Sequence, residues 1–132
     1  MMAAPITESQ HQRALVEWWA WACKLYGLEP RHLMHIPNEG KRSAVLGNIM
    51  RKEGLRRGVP DLFLAVPCGA FSGLWLEMKS KTGKPTVDQL EYLRILEKSG
   101  YECHVCYGWQ EAVQHVEAYL KPRREGQKPV EL

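Results

Sequence analysis

Gly58-Val59-Pro60-Asp61-Leu62-Phe63-Leu64-Ala65-Val66, followed by Leu74-Trp75-Leu76-Glu77-Met78-Lys79, is the stretch on which the reading of the fold turns. Each half reads as a β-strand, 61–66 and 74–79. Pro67, Gly69 and Gly73 punctuate the connection, so the pattern predicts a hairpin with a loop over 67–73. Side chains alternate faces along a strand, which puts Glu77 and Lys79 on one side. If Val66 pairs with Leu74, Asp61 lies opposite Lys79 and diagonal to Glu77 on that same face. Two carboxylates and an ammonium then converge at a strand end, the minimum needed to hold a hard divalent cation beside a proton-transfer group.

Outward from this hairpin, the chain alternates helices and strands. Thr7-Glu8-Ser9-Gln10 has the T-x-x-Q form of a capping box, and a helix is expected from there to about Tyr26, stopped by Gly27. Leu15, Trp18, Trp19, Ala22 and Tyr26 recur at helical spacing as its buried stripe. Leu33 to Ile36 is a short strand, Asn38 to Ser43 a polar loop, and Ala44 to Glu53 a second helix. After the hairpin comes a basic loop, 80–85. Thr86-Val87-Asp88-Gln89 is a second T-x-x-Q box, opening a helix to about Ser99 whose core face is Leu90, Leu93, Leu96 and Tyr92. Tyr101 to Tyr107 reads as the last strand and Gln110 to Leu120 as the last helix, stopped by Pro122. The strand-helix-strand unit over 73–107 is expected to be a right-handed crossover with parallel strands. The fold class is therefore α/β, a mixed central β-sheet flanked by helices. Residues 1–121 form one domain on this reading, and 122–132 a basic, mobile tail.

Composition narrows the class of protein. The chain has 132 residues, 45% hydrophobic and 25% charged, ordinary proportions for a single soluble domain. No stretch approaches the roughly 18 apolar residues of a membrane span. Met1-Met2-Ala3-Ala4-Pro5 lacks the basic start and apolar centre of a secretion signal, so a cytoplasmic location is expected. Four cysteines are too few and too irregular for a disulfide scaffold. Cys103-His104-Val105-Cys106 has the spacing of half a zinc site, but no second cysteine pair completes it, and plain thiols are the better reading. The net charge of +3 is mild but uneven. Lys41, Arg42, Arg51, Lys52, Arg56 and Arg57 face a single acid, Glu53, over 41–57, a distribution that suits a phosphate backbone as well as it suits a solvated helix face.

Phosphodiester hydrolysis needs a positioned water, a means of lowering its pKa, and positive charge where negative charge builds up. A divalent ion on two carboxylates meets all three needs. Mg²⁺ keeps several waters and takes one or two protein carboxylates, so Asp61 and Glu77 suffice as ligands, with the Met78 carbonyl as a further oxygen. Lys79 would orient or deprotonate the attacking water, or neutralise the developing oxyanion. A bare E-x-K on a strand is by default an exposed ion pair. The Pro60-Asp61 step at the mouth of the preceding apolar strand changes that balance. Glu8 falls within about 40° of Gln12, Leu15, Trp19 and Ala22 on a helical wheel, so it extends the buried stripe towards the sheet. It reads equally well as a first-turn acid favoured by the helix dipole. Gln89 either closes its capping box or points its amide at Lys79 and a phosphate. His35, ahead of the Pro37-Asn38 loop, is the histidine with the strongest functional claim, though a satisfied strand histidine is the simpler reading.

In order, Glu8 with Gln12, Ile36-Pro37-Asn38-Glu39-Gly40-Lys41-Arg42-Ser43, Gly58-Val59-Pro60-Asp61, Glu77-Met78-Lys79, Gln89 and Gly100-Tyr101 resemble the VRR-NUC group of the PD-(D/E)xK nuclease superfamily, especially its small stand-alone phage and bacterial members. The likeness covers nearly the whole chain and departs at Asn38-Glu39-Gly40, where many relatives carry two glycines. It implies a restriction-endonuclease-like core and a Mg²⁺- or Mn²⁺-dependent DNA endonuclease in a bacterial or phage-infected cell. Asp61 and Glu77 match the metal ligands, Lys79 the catalytic lysine, and Glu8 the first-helix acid that would reach the metal directly or through water. Gln89 matches the glutamine of the following helix. Lys41, Arg42, Arg56, Arg57, Lys81 and Lys84 are the candidate DNA contacts. The resemblance also implies a homodimer acting on branched DNA such as four-way (Holliday-type) junctions, as in DNA repair. A non-cleaving DNA-binding module of a replication or packaging complex and a sequence-specific restriction-type nuclease are the alternatives.

Overall fold

The computed structural model describes residues 4–37 and 43–126. Helix α1 (Glu8–Ala22) starts at Thr7, whose hydroxyl accepts from the Gln10 amide while Gln10 reaches back to the Thr7 amide, the reciprocal pair expected from sequence. Its last turn tightens into a 3₁₀ helix over Cys23–Tyr26. Strand β1 (Leu33–His35) follows, then α2 (Ala44–Lys52), capped by the Ser43 hydroxyl. The hairpin comprises β2 (Leu62–Leu64) and β3 (Leu74–Lys79). Helix α3 (Val87–Lys98) carries the second capping box, and β4 (Glu102–Tyr107) and α4 (Trp109–Gly126) complete the fold. The strands lie in the order β1-β2-β3-β4, antiparallel except for the parallel β3–β4 pair. This is the mixed sheet of the α/β reading. Among the described residues no helix is long and apolar enough to cross a membrane.

The two faces of the sheet have different work. Leu62, Leu64, Leu74, Leu76 and Met78 join Leu15, Trp19 and Tyr26 with Ala112, Val116 and Leu120 in one core. Alternation alone puts them on the face covered by α1 and α4, each fully buried leucine contributing roughly 2 kcal/mol of transfer free energy. The opposite face starts with an aromatic cluster, Phe63 stacked on Trp75 at 4.3 Å with Tyr101 edge-on to both. It continues along β3 to Glu77 and Lys79. Helix α3 packs over β4 on Leu93 alone among its fully buried residues; Leu90, expected in the core, is exposed.

Three expectations are corrected. The hairpin pairs Leu64 with Leu74, not Val66, so the register is two residues shorter. Pro67 has no N–H to give a ladder and restricts Val66, and the chain turns away instead: the Val66 carbonyl accepts from the Tyr119 hydroxyl at 2.6 Å, and Cys68 pairs with Phe71 inside the longer loop. A shift of two keeps every side chain on its face, so Asp61 moves from opposite Lys79 to one step beyond the Leu62–Leu76 pair, alongside Glu77. Pro122 does not end the last helix; it lies inside α4. The turn after it is tied down from elsewhere, by Arg123 Nε donating to the Tyr26 carbonyl at 2.9 Å and Arg124 resting over the Tyr26 ring. The boundary expected at 121 therefore falls within a helix. Finally, only the inward side of the α1 stripe is sealed, and Trp18 is half-buried at its edge.

Gly58 explains the approach to Asp61. Its φ is +82°, and a Cβ there would lie 2.6 Å from the Asp88 carbonyl oxygen. Only glycine lets the loop pass this close to the first turn of α3. Gly58→Ala is expected to destabilise the protein by about 1–3 kcal/mol from backbone strain alone, with the backbone clash adding to it. Urea unfolding measures this; a change below about 0.5 kcal/mol would contradict the close approach.

Candidate active site

Asp61 is fixed from both sides. Its carbonyl accepts from the Ile36 amide at 2.8 Å and lies 3.0 Å from His35 Nδ1, which anchors it to the end of β1. Its Oδ2 accepts from the Met78 amide at 2.8 Å, which anchors it to β3. The Met78 amide lies between Glu77 and Lys79, so this one bond aims the carboxylate at the face those two residues share. Asp61 is 5% exposed, Glu77 0% and Lys79 7%. From α1, Glu8 Oε1 approaches Lys79 Nζ at 3.7 Å. The capping box at Thr7 sets the start of that helix, and with it the position of Glu8. Four residues singled out from sequence thus come to one place, Glu8 from α1, Asp61 from the step just ahead of β2, and Glu77 and Lys79 from β3.

The electrostatics of the group are unbalanced. Glu77 is pushed up to about 9. Burial is the first cause, since a carboxylate in a dry environment loses its hydration. Asp61 is the second, through its charge and by offering an acceptor to a protonated Glu77; Lys79 pulls the other way, and Glu8 raises it a little further. Both Glu77 oxygens are sealed from solvent and, among the described residues, meet no hydrogen-bond donor, which leaves Asp61 as an acceptor for the proton and no hydrogen bond to steady the carboxylate. A buried carboxyl with two orphaned oxygens is costly. A hard cation between Asp61 and Glu77 would satisfy those oxygens and draw the proton off, so the residues fit such an ion. Among the described residues no group of three or more His, Cys, Asp or Glu side chains forms a metal cage. Two carboxylates suit an ion that keeps much of its own water.

The remaining candidates are more dispersed. Gln89 closes its capping box, accepting from the Thr86 amide at 2.8 Å, and among the described residues no hydrogen bond joins it to Lys79. His35 Nδ1 lies between the Asp61 carbonyl and Gln12 Nε2 at 3.1 Å. One tautomer donates to the carbonyl and the other accepts from the amide, so His35 ties α1 to the strand ends in either state. Arg57 Nε lies 4.0 Å from Asp88 Oδ2, and Arg56 donates to the Arg51 carbonyl at 3.4 Å. Lys81 and Lys84 are exposed in the loop after β3. Lys41, Arg42 and Asn38-Glu39-Gly40 lie outside the described residues. Burial holds the thiol of Cys103 up at about 12 and that of Cys106 higher still, so both resist forming thiolates.

One residue of the site was not singled out from sequence. His11 is 1% exposed, and its Nδ1 accepts from the Trp109 amide at 3.1 Å. It stands three residues after Glu8 and four before Leu15, so helical spacing placed it on the buried stripe, where a titratable side chain is the exception.

The sequence profile of the VRR-NUC domain matches residues 6–110 of this chain. A solved structure described as a "VRR_NUC domain protein" superposes with a TM-score of 0.76 at 24% sequence identity, covering 89% of this chain and 91% of that one. That likeness speaks for the fold. No curated protein matches the chain.

Proposed function

The chain belongs to the VRR-NUC domain family and so carries a nuclease-type domain, and from that premise we propose that it is a Mg²⁺- or Mn²⁺-dependent DNA endonuclease that hydrolyses phosphodiester bonds at branched structures such as four-way junctions. The observation that carries this reading is the buried pair Asp61 and Glu77 with Lys79 beside it, Glu77 having two sealed oxygens that meet no hydrogen-bond donor among the described residues. Asp61 and Glu77 would hold the ion, with the Met78 carbonyl and Glu8, directly or through water, as further oxygens. When bound, such an ion acidifies a water and offsets charge on the phosphate.

The chain's own residues do the rest. The Met78 amide holds the Asp61 carboxylate in place, so its aim does not depend on the substrate. Lys79, packed to 7% exposure and steadied by Glu8, offers an ammonium that orients the attacking water, manages its proton and meets the negative charge developing on the phosphate. Gln89 would have to leave its capping box to bring its amide to the strand, at a cost of about 1 kcal/mol.

One chain carries one such site, and paired nicks across a four-way junction need two sites related by twofold symmetry, which supports a homodimer. Trp21, 59% exposed on α1, is the tryptophan available to its interface. Incubation with four-way, flap, splayed-arm and linear duplex DNA tests the reading. Cleavage of branched substrates with Mg²⁺ or Mn²⁺ and none in chelator is expected. Binding without cleavage in any divalent ion would establish the non-cleaving module, and a cut at one defined duplex sequence the restriction-type enzyme.

A further inference from the structure

We propose that the cleft at the N-terminus of α1 is a phosphate subsite, in which His11 Nε2–H and the Lys81 ammonium hold a backbone phosphodiester of the DNA strand beside the one being cut. This rests on the nuclease reading and gives it a second anchoring point. The cleft has a volume of about 560 Å³ and is lined by Glu8, His11, Ser80, Lys81 and Thr82, among others.

His11 is the telling residue. Its Nδ1 accepts from the Trp109 amide, which fixes the proton on Nε2. Among the described residues Nε2–H meets no acceptor, and His11, 1% exposed, is one of the residues lining the cleft. A neutral donor at the edge of a cleft, with no protein acceptor among the described residues, is free to take an anion.

The surroundings suit an anion. Gly108 has a φ of +97°, and a Cβ there would stand 3.4 Å from both His11 Cε1 and Lys81 Cε. Gly108 thus has the imidazole and the lysine stem both against it. Lys81 has no ion-pair partner among the described residues, and Ser80 and Thr82 line the cleft with it. The first turn of α1 presents its positive end to the same cleft. Glu8 is the carboxylate among the lining residues, and Lys79 offsets it at 3.7 Å. That pair also gives the location: the residue bordering the cleft is the one that touches Lys79, so a phosphate here is a neighbour of the reacting one on the same strand.

The test measures DNA binding by the full chain in chelator, where nothing is cut, with single neutral methylphosphonates moved position by position through the bound DNA. In the wild type, one position is expected to weaken binding about tenfold, the effect of a lost charge-assisted contact. Lys81→Ala and His11→Asn should each lose a similar factor, lower the salt slope only for the lysine, by about 1, and become insensitive to that same position. Asparagine keeps an acceptor for the Trp109 amide while removing the donor in the cleft. Should it fail to fold, the surface variant Lys81→Ala decides alone. Multiplicative losses at every position, or no sensitive position, would overturn the subsite. An NMR shift of His11 with inorganic phosphate but no coupling to any methylphosphonate would assign the cleft to free phosphate and overturn it equally. Cleavage without coupling removes the subsite and leaves the nuclease; coupling without cleavage in any divalent ion does the reverse.

Discussion

Replacing Lys79 by alanine is expected to lower the cleavage rate by at least about 10³-fold, while DNA affinity changes by less than about threefold. Lys79 is 7% exposed, so its charge is screened far less than that of a surface lysine and its field at the phosphate is correspondingly strong. It also lies within reach of Glu8 and lowers the pKa of Glu77, so no water can replace it in place or in charge. Most of the DNA affinity of a nuclease comes from solvated cations along the backbone, which this change leaves intact. Glu77→Gln should be as severe for cleavage, because the amide keeps the shape of the carboxyl and loses its charge. Single-turnover cleavage and anisotropy measure the two quantities separately. Normal cleavage by Lys79→Ala would remove the catalytic assignment, whatever the DNA structure preferred.

The second large effect is on stability against pH without metal. Glu77 has its ordinary value, 4.5, in the unfolded chain and about 9 in the folded one. Between those values the folded state holds a proton that the unfolded state has released. Stability therefore falls as pH rises through this window, by up to about 1.4 kcal/mol per unit from this group. This is the reverse of a salt-bridged carboxylate, which loses stability in acid. Glu77→Gln should flatten the dependence. Mg²⁺ competes with the proton, so its affinity should rise about tenfold per pH unit up to about 9, and its stabilising effect with it. Thermal melts across pH 5–9, with Mg²⁺ and with chelator, read both. A metal-free stability that climbs with pH in the wild type would show that Glu77 ionises freely, and the orphaned-carboxyl account would fail.

Much of this was legible in the sequence because it follows from local periods. Period-two alternation put Glu77 and Lys79 on one face opposite the Leu74–Leu76–Met78 face, and the two T-x-x-Q boxes set the starts of α1 and α3. The hairpin register was not legible, because a shift of two leaves the pattern of inward and outward residues unchanged. The choice fell to the loop, where Val66 is held by Tyr119 from a helix 53 residues away. Pro122 was misread for a similar reason: the residues that carry the helix past it act on Tyr26, at the other end of the chain. His11 sat on the right stripe, but nothing local says that its partner would be the Trp109 amide or that the residue would line a cleft.

Crystals grown with Mn²⁺ and measured at its absorption edge give the most direct reading of the central claim. An anomalous peak within about 2.0–2.4 Å of carboxylate oxygens of both Asp61 and Glu77, lost in Glu77→Gln, is the result the structure leads one to expect. Density with no peak there at saturating Mn²⁺, the two carboxyls still buried and Glu77 still unpartnered, would contradict it.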